Sequence, residues 1–330
     1  MKKIVFLISI MGLLLASCQQ NQELIPYRKG DKWGFCTPDK KIVITPKYDD
    51  AWNFHEGFAR VKLNDKWGFI DKTGKEIVPP KYDDAGVFIE GLAMVILNGK
   101  EGFVDTTGKL IVPPMYDWAY VFHEGLAGVK LNGKYGFIDK TGKVIIPPKY
   151  DDAGIFSEGL AQVRLNFKWG FIDKTGNEIV PPMYDKPGGF YEGFYEGLAR
   201  VRLNGKWGFI DKTGKEIVPH WYDGASDFHE GLARVELNGK YGFIDKTGKL
   251  IVPPSYDYAG DFQEGLAPVE LNDKWGFIDK TGKEIVLPKY DDALYFKPFF
   301  HEGLARVRLN GKEFCIKVFP DGKVVEYYEE

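Results

Sequence analysis

The pattern of apolar and polar residues predicts short β-strands. In one representative stretch the apolar positions are Ala199, Val201 and Leu203. Arg200 and Arg202 occupy the positions between them. This period-two alternation places the apolar side chains on one face of an extended chain. We therefore predict a half-buried strand that ends near Leu203.

Turn signals follow this strand and divide the chain into a meander. Asn204-Gly205 comes first, and it is a strong hairpin signal because both central residues of a type I′ turn need a positive φ. A second strand is predicted over residues 207–211. It leads into Lys-Thr-Gly, where Gly214 suits the left-handed conformation of a longer hairpin loop.

A proline-bearing strand and a connector complete the unit. The third strand, residues 216–218, runs into Pro219, which cannot donate to a strand ladder. The strand must therefore end there or lie at the edge of its sheet. The connector carries a Tyr-Asp pair, the aromatic Phe228 and a Glu-Gly pair. Each unit is predicted to be a three-stranded meander plus a connector.

The whole pattern recurs with a fixed period. The second strand begins with Trp-Gly or a substitute, at steps of 34 residues except for one step of 38 between Trp169 and Trp207. A degraded ninth copy begins at Glu313. A unit this small is marginally stable alone, so the copies are expected to stack on one another. The eight full positions are Trp33, Trp67, Glu101, Tyr135, Trp169, Trp207, Tyr241 and Trp275.

These motifs resemble the WG-repeat family, whose members are also called KWG repeats. The resemblance covers residues 33–325 and rests on Lys-Trp-Gly-Phe-Ile-Asp-Lys-Thr-Gly-Lys, followed in register by Pro-Pro-x-Tyr-Asp and Glu-Gly-Leu-Ala. It implies a binding or scaffold module and no particular chemistry. The predicted fold is an all-β repeat protein, in which three-stranded units of ~34 residues stack in an open, solenoid-like array.

A closed eight-bladed β-propeller is the alternative architecture, because short strands in eight copies would suit it. The period is short, however, against the roughly 40–50 residues of familiar blades. The glycine after the Trp position becomes Phe314 only in the last copy, which we interpret as close approach by the next repeat in all others. A disulfide between Cys36 and Cys315 would join the ends, and the competing interpretation is two free thiols.

Residues 1–17 are predicted to be a lipoprotein signal peptide. Two lysines precede an apolar run too short to span a bilayer, and the run ends in Leu-Ala-Ser-Cys, which resembles a bacterial lipobox. Cys18 is the predicted lipid attachment site. Residues 18–26 would form the polar tether, and residues 27–330 the repeat array. Gln rather than Asp follows the cysteine, which favours the outer membrane of a bacterial envelope; the side it faces stays open.

Composition and charge exclude several classes of protein. The chain is 44% hydrophobic and 28% charged, which is ordinary for a folded protein and unlike a disordered one. Its formal net charge is −3, whereas a nucleic-acid-binding domain has a basic footprint. We therefore expect no nucleic-acid partner.

The repeated polar motifs are interpreted as turns and corners, so we predict no enzyme, no cofactor and no metal. The Lys-Thr-Gly triplet lacks the Ser-x-x-Lys nucleophile of penicillin-binding enzymes. A catalytic site needs unlike groups at one place, which argues against a histidine that recurs at one position. A calcium-binding ladder of carboxylates is the alternative to hydrogen-bonded corners. The recurring histidines are His55, His123, His229 and His301.

The predicted function is noncatalytic. Regularly spaced contacts would bind a protein partner while the lipid holds the chain on a membrane. The alternative is glycan or peptidoglycan binding by a row of surface indole rings. We expect this row to reach solvent, because the same position accepts Glu101 and an unpaired buried charge is costly. The candidate surface aromatics are Trp67, Trp169, Trp207 and Trp275.

Overall fold

The structure is a computed structural model, and it describes residues 23–188, 193–293, 300–301, 304–319 and 323–327. The predicted signal peptide, residues 1–17, and the predicted lipidation site Cys18 lie outside the described residues. Within the described ranges there is no helix with the length and apolar character that crossing a bilayer requires.

The described chain forms two compact units, with the boundary after residue 149. In the first unit a three-stranded antiparallel sheet, β1-β2-β3, precedes sheets of four strands each. The strands of this unit are β1 Ile25–Lys29, β2 Lys32–Cys36, β3 Ile42–Tyr48, β4 Asp50–Ala51, β5 Phe58–Leu63, β6 Lys66–Asp71, β7 Glu76–Tyr82, β8 Asp84–Ile89, β9 Leu92–Leu97, β10 Lys100–Asp105, β11 Leu110–Tyr116, β12 Trp118–Ala119, β13 Leu126–Leu131, β14 Lys134–Asp139 and β15 Val144–Tyr150.

The second unit continues the same pattern through four-stranded sheets to a final one of five strands, in which β33 pairs with β34 beside the order β32-β34-β35-β36. Its strands are β16 Asp152–Ala153, β17 Leu160–Leu165, β18 Lys168–Asp173, β19 Glu178–Tyr184, β20 Lys186–Pro187, β21 Leu198–Leu203, β22 Lys206–Asp211, β23 Glu216–Tyr222, β24 Gly224–Ala225, β25 Leu232–Leu237, β26 Lys240–Asp245, β27 Leu250–Tyr256, β28 Tyr258–Ala259, β29 Leu266–Leu271, β30 Lys274–Asp279, β31 Glu284–Tyr290, β32 Asp292–Ala293, β33 Phe300–His301, β34 Leu304–Leu309, β35 Lys312–Val318 and β36 Val324–Tyr327.

The predicted all-β repeat is confirmed, and each repeating sheet gains a strand that the sequence pattern missed. The connector contributes a two-residue strand such as β24, whose Ala225 lies opposite Val235 of β25. The third strand also runs further than predicted, since β23 passes Pro219 and ends at Tyr222. It is the outermost strand of its sheet, so the missing N–H of the proline breaks no ladder.

Both predicted turns are confirmed. Asn204 and Gly205 have φ values of 51° and 81°, as a type I′ hairpin requires. Gly214 of the Lys-Thr-Gly turn has a φ of 81°. Each sheet therefore has two ends. The Asn-Gly turn and the Tyr-Asp corner lie at one end, and the Lys-Thr-Gly turn and the Glu-Gly pair lie at the other.

The glycine after the Trp position is required for a different reason from the one predicted. A Cβ on Gly170 would lie 2.3 Å from the carbonyl oxygen of Val180 and 2.7 Å from the nitrogen of Pro182. The approaching backbone is therefore β19 of the same sheet, which bulges there, and not the next repeat. In the last copy, β35 pairs with β36 in regular register from Cys315 to Val318.

The hydrophobic core lies between consecutive sheets. Phe209 faces the following sheet and packs edge-on against Phe228, with ring centroids 4.9 Å apart. Its neighbour Ile210 faces the preceding sheet and packs in the cluster of Phe171 and Val180. Both faces of such a sheet are covered, which explains how a unit too small to fold alone is stabilised by its neighbours.

The two cysteines of the array are free thiols. Cys36 is buried in the first sheet and Cys315 is half-buried in the last. Both thus behave as small apolar side chains in strand interiors.

Candidate functional site

The Tyr-Asp corners hold consecutive sheets together. Asp83 accepts a hydrogen bond from Lys66 Nζ of the preceding sheet at 2.5 Å, and another from the backbone N–H of Asn98 in the next hairpin turn at 2.6 Å. The Lys66 contact and the Asn98 N–H lower the pKa of Asp83. The same pair of contacts recurs at Asp49, Asp223, Asp257 and Asp291.

The Glu-Gly pairs do the same at the opposite end of the sheets. Glu90 Oε2 accepts from the backbone N–H of Gly125 and from Lys140 Nζ, both at 3.0 Å. Burial raises the pKa of Glu90, but these contacts outweigh it and lower the pKa. The expected hydrogen-bonded corner is confirmed. No group of three or more His, Cys, Asp or Glu side chains in the described residues is placed to hold a metal ion.

In the Asp-Lys-Thr-Gly turn, the aspartate carboxylate accepts hydrogen bonds from residues of the same turn. Asp173 Oδ1 accepts from the hydroxyl of Thr175 at 2.7 Å and from the backbone N–H of Asn177 at 3.0 Å. Burial raises the pKa of Asp173, yet the hydrogen bonds from Thr175 and Asn177 lower it to about 2. The repeated charges thus maintain the frame of the repeat.

The predicted row of surface indoles is wrong for two of its four members. Trp67 and Trp275 are buried, each with 8% of its surface exposed. Trp169 and Trp207 are half-buried, and Trp207 packs in the cluster that joins its sheet to the following one. The ring faces the next sheet because it shares a strand face with the core phenylalanine two positions on. An Arg guanidinium covers Trp207 at 4.7 Å from the ring centroid.

Glu101 occupies the Trp position without reaching solvent, which corrects the argument that led to a surface row. Its side chain is 5% exposed, and Glu101 Oε2 accepts a hydrogen bond from the backbone N–H of Ala119 at 2.5 Å. Burial raises the pKa of Glu101 against the opposing effect of this hydrogen bond. The buried carboxyl is tolerated because it has a partner.

Glu101 has this partner because an acid and a tryptophan have exchanged positions. In the copies with Asp50, Asp84 and Asp152, that aspartate satisfies the N–H of the short-strand alanine after it, as Asp84 Oδ1 does for Ala85 at 2.8 Å. Trp118 stands in the place of that aspartate and is 51% exposed. Glu101, in the place of the tryptophan, supplies the missing carboxylate to Ala119.

The first unit therefore has a distinctive surface, which we call the short-strand edge and define by Trp52, Arg60, Asp84, Trp118 and Lys130. Trp52 is 51% exposed. The guanidinium of Arg60 lies 4.0 Å from the ring centroid of Trp52, and its Nη1 donates to the carbonyl oxygen of Ala85 in the next sheet. Lys130 lies opposite Trp118 in the strand register.

The second unit has a different distinctive surface, which we call the turn-end face and define by Phe167, Met183 and Trp221. Their exposed fractions are 89%, 46% and 64%. Phe167 occupies the second position of an Asn-x turn, with a φ of 65°, where other copies have Gly or Asp. All three lie at the Tyr-Asp end of two consecutive sheets, one formed by β16 to β19 and the next by β20 to β23.

The recurring histidines are surface residues where the structure describes their side chains. His55, His123 and His229 are exposed. His55 Nδ1 lies 2.6 Å from the carbonyl oxygen of Phe88 in the following sheet.

The sequence interpretation missed the aromatic residues that are exposed. The available signal was their departure from the repeat, because each replaces a residue of another kind at its position. Three of them are Trp118, Phe167 and Trp221.

Known proteins resemble the chain at the level of its repeat. The family model described as the WG containing repeat matches residues 33–67, 67–100, 102–135, 135–169, 169–207, 207–241, 241–275 and 275–312. No curated protein matches the chain.

Solved structures show only distant similarity. A eukaryotic initiation factor is 10% identical over 94% of this chain and 97% of its own, with a TM-score of 0.44. Virginiamycin B lyase from Staphylococcus aureus is 14% identical over 69% of this chain and 92% of its own, with a TM-score of 0.30. These values are too low to transfer any activity to the chain.

Proposed function

Because the chain belongs to the WG-repeat family, we propose that it is a noncatalytic scaffold that binds a protein partner. The turn-end face of the second unit carries this proposal. Phe167 holds a positive φ that costs a bulky residue about 1 kcal/mol, and its ring is 89% exposed. A residue that is both strained and exposed gains nothing inside the folded chain, which supports a contact outside it.

The surroundings of Phe167 suit a protein interface. Lys168 is paired with Asp185 at 2.6 Å, and the backbone N–H of Asn166 donates to Asp151 at 2.8 Å. Lys168, Asp185 and Asp151 therefore already have partners, so a bound protein can cover them without leaving these charges unpaired. Aromatic and Met side chains inside a satisfied polar rim are typical of the residues that dominate protein–protein binding energy.

The structural contacts of the repeated titratable groups support the noncatalytic part of the proposal. The Asp, Glu and Lys side chains of the motifs bridge neighbouring sheets or close turns, as Asp83, Glu90 and Asp173 do. These side chains recur in like sets, whereas a catalytic site brings unlike groups together at one point. Hydrolysis or transfer of an envelope substrate by the purified protein would contradict this part.

The location of the scaffold is proposed from residues 1–23. The apolar run, the Leu-Ala-Ser-Cys sequence and the polar stretch after Cys18 support a bacterial lipoprotein held in the envelope, with the outer membrane favoured. Cys18→Ser is expected to release the protein from the membrane fraction of fractionated cells. Continued membrane association of that variant would refute lipidation at Cys18.

Site-specific photo-crosslinking in intact cells tests the partner. A photoreactive amino acid at position 167 is expected to give a protein adduct, and one at position 273 is the matched control. Asp273 occupies the same turn position in another copy and has a φ of 59°. In a second arm, Phe167→Gly is expected to abolish the adduct formed by a probe at position 221. Equal adducts at positions 167 and 273, or none at 167, would overturn the proposal.

A further inference from the structure

We propose that the short-strand edge of the first unit binds a saccharide chain, with the indole rings of Trp52 and Trp118 stacking on its pyranose rings. This site lies in the other unit from the turn-end face and goes beyond the proposed protein partner. It also differs from the four indole positions, two buried and two half-buried, that the sequence suggests for a glycan.

The exchange of Glu101 and Trp118 is the first support. In other copies the indole is buried or half-buried between sheets, as Trp67 is with 8% exposed and Trp207 is half-buried. Here the indole has moved to an exposed position and a carboxyl is buried in its place. Burial disfavours the charged form of Glu101, so the exchange lowers folding stability at neutral pH. A departure from the repeat that costs stability and exposes a large aromatic surface indicates a ligand for that surface.

The second support is the rigid placement of Trp52. The Arg60 guanidinium lies between Trp52 and Trp67, at 4.0 Å and 4.6 Å from their ring centroids. Arg60 is itself fixed by donating to the carbonyl oxygen of Ala85. One face of the Trp52 ring is thus backed by a cation, while 51% of the residue stays exposed. A preorganised aromatic plane loses little conformational entropy when a ligand ring stacks on it.

The backbone at this edge argues for a saccharide and against an extended peptide. A peptide adds to a sheet by main-chain hydrogen bonds to an open edge strand. Here the N–H of Ala85 is bonded to Asp84 and its carbonyl oxygen to Arg60. The N–H of Ala119 is bonded to Glu101. With these three edge groups occupied, a peptide strand added at these positions would lack their main-chain hydrogen bonds, whereas ring stacking and side-chain hydrogen bonds do not need them.

Polar groups suited to sugar hydroxyls flank the two indoles. The carboxylate of Asp84 lies on the sheet between them, and its side chain is 56% exposed. Lys130 is opposite Trp118 in the register and places its Nζ 5.1 Å from the ring centroid of Tyr135. Trp52 and Trp118 are two sheet spacings apart, roughly 20 Å, so a chain of several sugar rings would be needed to reach both.

Isothermal titration of the purified protein with soluble glycans tests the site. The probes are cellohexaose, chitohexaose, maltohexaose and soluble glycan strands from peptidoglycan. At least one is expected to bind, and Trp52→Ala and Trp118→Ala are each expected to weaken it by about tenfold. Tyr327→Ala is the matched control, because Tyr327 is 47% exposed in the other unit and belongs to neither proposed surface, and it is expected to leave saccharide binding unchanged. Each variant is checked for an unchanged thermal melt.

The double variant Glu101→Trp with Trp118→Asp restores the ordinary pattern of the repeat. It is expected to melt at a higher temperature and to lose saccharide binding, which separates a lost site from a lost fold.

Three results would overturn the saccharide proposal. They are no binding of any probe, equal loss in the Tyr327→Ala control, and a protein adduct from a photoreactive residue at position 118 in cells. None of them bears on the adduct at position 167, so the two proposals fail independently.

Discussion

The short-strand edge of the first unit and the turn-end face of the second are built on the same repeat, yet they expose aromatic rings in different ways. In the first unit Trp118 is exposed because it has exchanged places with the acid Glu101, which is now buried. In the second, Phe167 is exposed because it replaces the small residue of a hairpin turn. One change affects the interface between sheets and the other affects a turn that contacts solvent.

This difference separates the frame of the repeat from the two distinctive surfaces. The Asp, Glu and Lys contacts between sheets recur in both units, as the equivalent corners at Asp83 and Asp291 show. Residues that recur therefore hold the stack together, while residues that break the pattern form the surfaces. Substitutions at the frame and at the two surfaces test that division.

The largest effect is expected where the frame is tightest. Gly170→Ala should destabilise the protein by about 3 kcal/mol, because its Cβ would lie 2.3 Å from a backbone oxygen of the adjacent strand. Gly102→Ala should cost a similar amount in the first unit, where the corresponding distance is also 2.3 Å. The control Gly239→Ala meets no atom within 4 Å and should cost only about 1 kcal/mol for its φ of 73°. Urea unfolding measures the cost of all three substitutions. If Gly239→Ala cost as much as Gly170→Ala and Gly102→Ala, the close approach of the adjacent strand would not explain the need for glycine.

The next effect belongs to the first unit alone. Glu101→Ala removes the partner of the Ala119 N–H and should destabilise the protein by about 2 kcal/mol. Glu101→Gln retains an acceptor oxygen and removes the charge. Because burial raises the pKa of Glu101, the wild-type stability should fall as pH rises above the ordinary value of 4.5 and through the raised pKa. The Gln variant should lack that fall and be more stable at pH 7. If the wild type and Glu101→Gln lost stability in parallel as pH rises, the raised pKa of Glu101 would be contradicted.

A smaller effect of opposite sign is expected in the second unit. Phe167→Gly should stabilise the protein by about 1 kcal/mol, because glycine adopts the φ of 65° without steric cost. The same change at Asp273, with a φ of 59°, should gain less because aspartate tolerates this conformation better. Thermal melts compare the two variants. Loss of stability in Phe167→Gly would show that the ring contributes to the fold.

The smallest effect concerns the turns that both units share. Hydrogen bonds from Thr175 and Asn177 lower the pKa of Asp173 to about 2, from an ordinary value of 3.8. A lowered carboxyl pKa contributes stability that is present above pH 3.8 and is lost as pH falls toward about 2. Asp173→Asn should therefore flatten the acid limb of the stability profile in that window. An unchanged limb would show that the turn carboxylate has no such role.

Much of the fold could be predicted from sequence, because local requirements recur in every copy. The Asn-Gly pairs fix hairpins through their positive φ, and the alternation around Val201 fixes a strand face. The candidate site was predicted less well. The row of Trp67, Trp169, Trp207 and Trp275 was expected at the surface, since Glu101 was assumed to have no buried partner. That partner, the N–H of Ala119, lies eighteen positions along the chain in another sheet.

The sequence by itself determined the period, the strands and the turns, because these depend on residues close together in the chain. Only the tertiary structure decided which residues are buried between sheets and which are exposed. Gly170 shows this, because the backbone that excludes a side chain there belongs to β19, the bulged edge strand of the same sheet. The burial of a side chain and its hydrogen-bond partners depend on which strands lie side by side. The exposure of Trp118 therefore follows from the sheet arrangement, which the local pattern does not specify.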